Sequence, residues 1–144
     1  MPEKRTIERA RKDKREGKSA STQAGEFVHE EIEHVREGKH GARSAKQAIA
    51  IGLSKARRAG VKVGTPKRAK ASTKKSARSA SSRAGKKVSP RRSRATSEAL
   101  EREPRAAASH TALARQAKAS ARSRGKTARS KAAKKAARTR RREG

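Results

Sequence analysis

Two matched elements, Thr65-Pro66-Lys67-Arg68 and Ser89-Pro90-Arg91-Arg92, each join a hydroxyl residue, a proline and two cations. Proline favours a turn, and a turn that carries adjacent cations can offer Lys67, Arg68, Arg91 and Arg92 to successive phosphates or to a narrow minor groove. A second basic group, Arg43, Lys46, Lys55, Arg57 and Arg58, is concentrated between residues 43 and 58 with no acid among them. Such a group suits nonspecific phosphate contact; a solvated basic face that simply complements an acidic neighbour is the competing reading. Glu31 and His34 have the Glu-x-x-His spacing of carboxylate-bridged metal bundles, and His29 and Glu33 lie one turn apart. Those bundles need several converging helices with inward ligands, whereas Glu33 falls on an outward face and only one such segment exists. No metal and no cofactor are therefore expected. The chain shows no glycine-rich phosphate loop, no activated nucleophile and no paired carboxylates on a core element, so an enzyme is not expected either.

Charge sets the wider frame. The sequence holds 43 Lys and Arg against 13 Asp and Glu, a net +30 over 144 residues, with an aromatic content of 1%. Such a surplus is not used by folding and points to a polyanionic partner. There is no cysteine, which excludes disulfides and thiolate metal sites. The longest apolar run, Ala48 to Leu53, falls far short of the roughly 20 residues that cross a bilayer, so no membrane partner is expected. The N-terminal residues mix Glu3, Glu8, Asp13 and Glu16 with cations and contain no hydrophobic signal segment. A cytoplasmic protein is the expectation.

The elements that must position these residues lie between 19 and 66, where nearly all large apolar side chains are found. In the first half, Ala24, Val28, Ile32 and Val35 recur at helical spacing with Phe27 at the edge, and Glu26, Glu30, Glu33 and Glu37 take the opposite face. Ser21 or Thr22 is the expected N-cap, and Gly38 stands where a helix would stop. The second half opens with Ser44 and Gln47 at capping-box spacing. At about 100° per residue, Ala45, Ile49, Leu53 and Ala56 share one face, widened by Ala48, Gly52 and Ala59. Gly60 can take the left-handed conformation that ends the helix and folds Val61 back onto Ala56, while Pro66 bars continuation. Glycine inside a helix costs about 1 kcal/mol relative to alanine, so Gly52 implies a close crossing by the other helix. Residues 26 to 37 hold five Glu and one Arg, opposite in sign to the second helix, which favours an antiparallel αα-hairpin. Ile51 points away from the main face, beside Lys55 and Arg58. It marks a dimer contact or a contact with a base methyl, or else it is covered by Val63 or the N-terminal residues or simply exposed.

Residues 2–18 carry one large apolar residue, Ile7, and read as a solvated basic arm. From Lys39 to Ser97 there is no acid and there are 19 Lys or Arg; after Val63 the only large aliphatics are Val88, Leu100 and Leu113. Residues 67–144 therefore read as a low-complexity tail without a core. Ser97 to Glu103 reads as a capped helical turn ended by Pro104, and alanine-rich 106–124 as transient helix. The expected fold class is a small all-α αα-hairpin at 19–66, with a largely disordered basic N-terminal arm at 1–18 and a largely disordered C-terminal tail at 67–144.

The two hydroxyl-proline-dication elements and the Lys, Ala, Ser and Arg composition of the tail resemble the C-terminal tails of linker histones and of bacterial histone-like proteins. That resemblance implies DNA binding and compaction through Lys67, Arg68, Arg91 and Arg92; no winged-helix domain of the linker-histone kind is present. The stretch SAKQAIAIGLSKARRAGVKV resembles a family of short basic bacterial proteins of uncharacterised function, over about residues 3 to 64 and most specifically from Gln47 to Gly60. This second resemblance implies a bacterial origin and assigns no activity.

The turn from Gly38 to Arg43 is longer than the three or four residues of a helix-turn-helix, and no third helix is visible to support the pair. Base-sequence readout is therefore not expected. The expected function is non-sequence-specific DNA binding by a histone-like, nucleoid-associated protein, with duplex DNA favoured over RNA and the hairpin either positioning the molecule or joining it into a homodimer. An RNA- or ribosome-associated protein is the first alternative, although Phe27 as the sole aromatic disfavours single-strand stacking. A protein adaptor that its tail localises to nucleic acid is the second.

Overall fold

The computed structural model describes residues 2–144, apart from the side chain of residue 143. The described residues form α1 (Lys4–Arg15), α2 (Ala20–Glu37), α3 (Ala45–Arg58), α4 (Ala71–Ser82), α5 (Pro90–Glu101), a 3-10 turn (Ala106–Ala108) and α6 (His110–Glu143). The chain divides into two compact units, Met1–Ser109 and His110–Gly144.

In the first unit, α2 and α3 form the expected hairpin, with α1 packed on α2 and α4 on α3, and the 3-10 turn touches both hairpin helices. Local signals set its ends. Gly38 takes φ 77°, and the Lys39 N–H donates to His34 O at 3.0 Å, closing α2. Ser44 caps α3 by accepting from Gln47 N (3.2 Å), while Gln47 Oε1 reaches back to the backbone N–H of Arg43 (2.7 Å), one residue before the cap. At the far end Gly60 has φ 89° and Val61 N donates to Ala56 O at 3.0 Å, the backbone reversal that the glycine allows. The cap of α2 lies earlier than Ser21 or Thr22: Ser19 accepts from Thr22 N, and Gln23 Nε2 straps back to Lys18 O at 2.9 Å.

The hairpin interface is tighter than large apolar side chains would allow. On α3 the buried residues are Ala45, Ala48, Gly52 and Ala56, with Ile49 and Leu53 half-buried beside them. A Cβ on Gly52 would stand 2.7 Å from Val28 Cα and 3.0 Å from Phe27 O, so the glycine is there because α2 passes over it. On α2 the buried line is Ala24, Phe27, Glu31 and Val35, with Gln23 and Glu30 on its flank. Glu30 therefore does not lie on an outer acidic face.

Two apolar clusters result. One joins Ala10, Ala24, Phe27 and Ala56, with Ile7, Leu53, Val61 and Val63 packed around them. The other joins Val35, Ala42, Ala48, Ala107 and Ala108, with Ile32 beside them. These clusters overturn the disordered arm and tail. The N-terminal segment is helix α1, with Thr6, Ala10 and Asp13 buried and Arg9 Nε 2.7 Å from Glu26 Oε2. Residues 67–144 hold α4, α5, the 3-10 turn and α6, and they contribute to the core: Ala77 and Ala80 of α4 are buried, as are Ala107 and Ala108. The reason is alanine. It adds little to a count of large aliphatics, yet where helices approach closely its methyl fills the available space.

Backbone bonds fix the return segment. Gly41 N donates to Leu100 O (2.8 Å), Ala42 N to Pro104 O (3.0 Å), and Arg36 Nε to Ala108 O (3.1 Å). Any side chain on Gly41 would run into the Glu103 carbonyl. The predicted turn at Ser97 to Glu103 is mostly the end of α5, which stops before Pro104. In the second unit, α6 is broken at Gly125, whose φ of 75° and ψ of 167° are not helical.

Candidate nucleic-acid interface

The five cations of the hairpin are not one surface. Lys55 is turned inward: its Nζ lies 2.6 Å from Glu31 Oε2 and 3.6 Å from Glu30 Oε1, and the side chain is only 19% exposed. Arg57 is buried, its guanidinium donating to Val63 O and Gly64 O and so holding the segment after α3. Both neutralise or brace the protein's own interior. Arg43, Lys46 and Arg58 are exposed, and Arg43 Nε lies 3.6 Å from Glu103 Oε1.

The four residues of the proline elements are exposed. Lys67 and Arg68 occupy a turn closed by Ala69 N donating to Pro66 O at 2.9 Å. Arg91 and Arg92 instead sit in the first turn of α5, because Pro90 at its start has the φ a helix requires and Ser93 N finds Ser89 O at 2.9 Å. Arg91 shares a shallow surface concavity with Arg94, Ala95 and Glu98.

Most acids in the first unit are consumed internally. Beyond Lys55 and its two partners, Arg36 NH1 lies 2.9 Å from Glu33 Oε1, and Lys39 Nζ lies 3.0 Å from Glu37 Oε2 and 3.3 Å from Glu3 Oε1. The hydrogen bond from His34, then that from Lys39, holds the Glu3 carboxyl below its usual range, while Glu37 and then Glu3 raise Lys39. Lys18, 2.8 Å from Asp13 Oδ1 and 2.9 Å from Glu16 Oε2, is raised by its hydrogen bond to Asp13 first and Glu16 second; in return Glu16 is lowered.

Cations beyond Arg58 are different. Among the described residues, none of them has an ion-pair partner. The largest group lies on α6, where thirteen Lys and Arg between residues 110 and 142 are all exposed and no acid falls among them. No residue of α6 was singled out from its sequence, although the lack of acids from 110 to 142 was a visible signal. The Glu31 and His34 pair, visible in the sequence by its Glu-x-x-His spacing, is joined by His40 from the loop that follows, a residue the spacing did not point to.

Residues 3–69 match the model of a family of unknown function (DUF6496). The match spans α1 to α3 and the Thr65-Pro66-Lys67-Arg68 element and stops before α4, so it covers the hairpin and leaves residues 70–144 outside. Comparison with curated proteins and with solved structures gives no match. No helix among the described residues is long and apolar enough to cross a membrane.

Proposed function

We propose that the protein binds nucleic acid, duplex DNA in preference to RNA, by neutralising phosphates without reading base sequence. One observation carries the reading: the thirteen exposed cations of α6, with no acid among them and no ion-pair partner among the described residues. Cations already paired within a protein release little when they meet a phosphate, whereas unpaired ones displace the counterions condensed on the polymer. On the first unit, Arg43, Lys46, Arg58, Lys67, Arg68, Arg91 and Arg92 are exposed as well. Lys55 and Arg57 are withdrawn from the site, because their heads serve Glu30, Glu31 and the carbonyls of Val63 and Gly64.

Side chains of this kind position a protein on the backbone and carry little sequence information. The absence of tyrosine and tryptophan removes the usual platforms for stacking unpaired bases, which is why duplex is favoured. In a bacterial cell this reading puts the protein on the nucleoid as a histone-like component; no catalytic role is proposed.

Fluorescence polarisation of the full-length chain with two duplexes of unrelated sequence and equal length, and with a structured RNA at matched salt, tests it. The two duplexes should bind within about threefold of each other and ahead of the RNA, because phosphate contacts are indifferent to sequence. A discrimination of about a hundredfold between the duplexes would mean base readout. An RNA preference of about tenfold, some 1.4 kcal/mol, would move the target to folded RNA.

A further inference from the structure

Glu31 has no exposed surface and stands in the middle of the buried line of α2, between Phe27 and Val35. Two histidines converge on it. His34 follows one turn later on the same helix, and His40 returns to it because Gly38 and the Lys39 N–H to His34 O bond reverse the chain. One ligand-capable atom from each of Glu31, His34 and His40 lies within 4.8 Å of the other two. The two rings meet edge to face, with centroids 6.1 Å apart and planes at 86°.

The chemistry of the atoms that face each other is unusual. His40 Nδ1 lies 3.0 Å from the carbonyl oxygen of Gly41. A carbonyl only accepts, so Nδ1 carries the hydrogen, and in the neutral ring Nε2 is left with its lone pair. That Nε2 stands 3.2 Å from Glu31 Oε1, and Oε1 nevertheless accepts no hydrogen bond. A buried carboxylate oxygen thus faces an imidazole nitrogen at close range with nothing directed between them. His34 Nε2, by contrast, is hydrogen-bonded to Glu3 Oε1 at 3.0 Å, at the start of α1. Lys55 stands on the other oxygen of Glu31, leaving Oε1 turned to the histidines.

We propose that Glu31, His34 and His40 form a binding site for a divalent zinc-type cation, which clasps the end of α2 to the loop that follows it. Zinc takes imidazole nitrogen and carboxylate oxygen at about 2.0 to 2.2 Å in a tetrahedron, whose ligand-to-ligand edges are then about 3.3 to 3.5 Å. The distance of 3.2 Å between His40 Nε2 and Glu31 Oε1 is close to such an edge. The bond from His40 Nδ1 to Gly41 O is the outer contact that commonly orients a metal-bound histidine and fixes its tautomer. Glu3 Oε1 accepts from His34 Nε2 and Lys39 Nζ, an outer contact that ties the start of α1 to the clasp. Two imidazoles select against Mg²⁺ and Ca²⁺, which prefer all-oxygen shells. This site is independent of the nucleic-acid surface and stands if that reading fails.

The test uses full-length protein, treated with chelator and exchanged into phosphate-free buffer, titrated with zinc chloride by calorimetry. One zinc per chain should bind, and millimolar Mg²⁺ should not displace it. His34→Gln and His40→Gln should each weaken binding more than about a hundredfold, the upper range already reached by outer-contact changes alone. His29→Gln and His110→Gln should bind zinc as the parent does, since neither residue belongs to the cluster. Because a variant could lose its fold, the imidazole nitrogens of the parent are also followed by NMR. Zinc should shift the ring signals of His34 and His40 and leave those of His29 and His110 in place. No zinc uptake, parental affinity in both cluster variants, or equal shifts in all four histidines would each overturn the proposal.

Discussion

Two glycines in the hairpin helices should respond to the same substitution with opposite sign. Gly25, inside α2, is exposed, and a Cβ there would meet nothing within 4 Å. Gly25→Ala therefore gains the helix propensity difference alone, about 1 kcal/mol. Gly52→Ala gains the same amount and loses more. Its Cβ would stand 2.7 Å from Val28 Cα and 3.0 Å from Phe27 O, backbone atoms that cannot rotate away. Restoring ordinary contact needs the helices to part by about 0.7 Å along the line where Ala24, Phe27 and Ala56 pack. Overpacking of this kind costs about 1 to 3 kcal/mol, so the net change is a loss of up to about 2 kcal/mol. For a unit of this size each kcal/mol moves Tm by about 4 to 8 °C. Thermal unfolding of both variants by far-ultraviolet circular dichroism, at one salt concentration, should raise Tm for Gly25→Ala and lower it for Gly52→Ala. A Gly52→Ala protein that melts at or above Gly25→Ala would refute the close crossing.

Two further outcomes separate structural cations from those left for a partner. Lys55→Met strips the ammonium from two buried carboxylates, and removing one member of a buried pair costs about 3 to 5 kcal/mol; the partial exposure of Lys55 points to the lower end. Arg58→Met, at an exposed position, should stay within about 0.5 kcal/mol, and equal urea midpoints for the two variants would contradict this division. Lys18 has its folded pKa raised by Asp13 and Glu16. A raised base stabilises fully below its unfolded value and loses that contribution as pH climbs through the folded one. The parent's advantage over Lys18→Met should therefore hold steady up to pH about 10.5 and decline only in stronger alkali. An advantage that has vanished by pH about 8 would contradict the assignment.

The parts of the fold legible in the sequence are those written in a few neighbouring residues. Ser44 with Gln47, Gly38, and Gly60 with Val61 each act through backbone bonds a few positions away, and each does what its type implies. Gly52 was legible too, since a helix-interior glycine needs a reason. What failed was the inference from residue size. Ile7, Ala10, Ala77, Ala80, Ala107 and Ala108 find their partners only through tertiary approach, and no local pattern distinguishes a buried alanine from a solvated one. The inner face of α2 was misplaced for a related reason. Ala24, Phe27, Glu31 and Val35 also recur at helical spacing, but an apolar stripe drawn through Val28 and Ile32 passes over Glu31 because glutamate is not a core residue until a lysine on the facing helix answers it. The same pairing explains why the basic group at 43–58 was only partly a surface. Lys55 and Arg57 cannot be told from Arg58 by type, and only the crossing of α2 and the return of the chain to Val63 and Gly64 divide them.

The central claim is that the exposed cations, above all those of α6, exist to meet phosphates. The affinity of the full-length protein for one duplex DNA, measured between about 50 and 200 mM monovalent salt, tests it most directly. If about half of the thirteen α6 cations each engage a phosphate, the log–log slope is about −6 and affinity falls by more than about a thousandfold over that range. A slope shallower than about −2, or no binding at the lowest salt, would contradict the account.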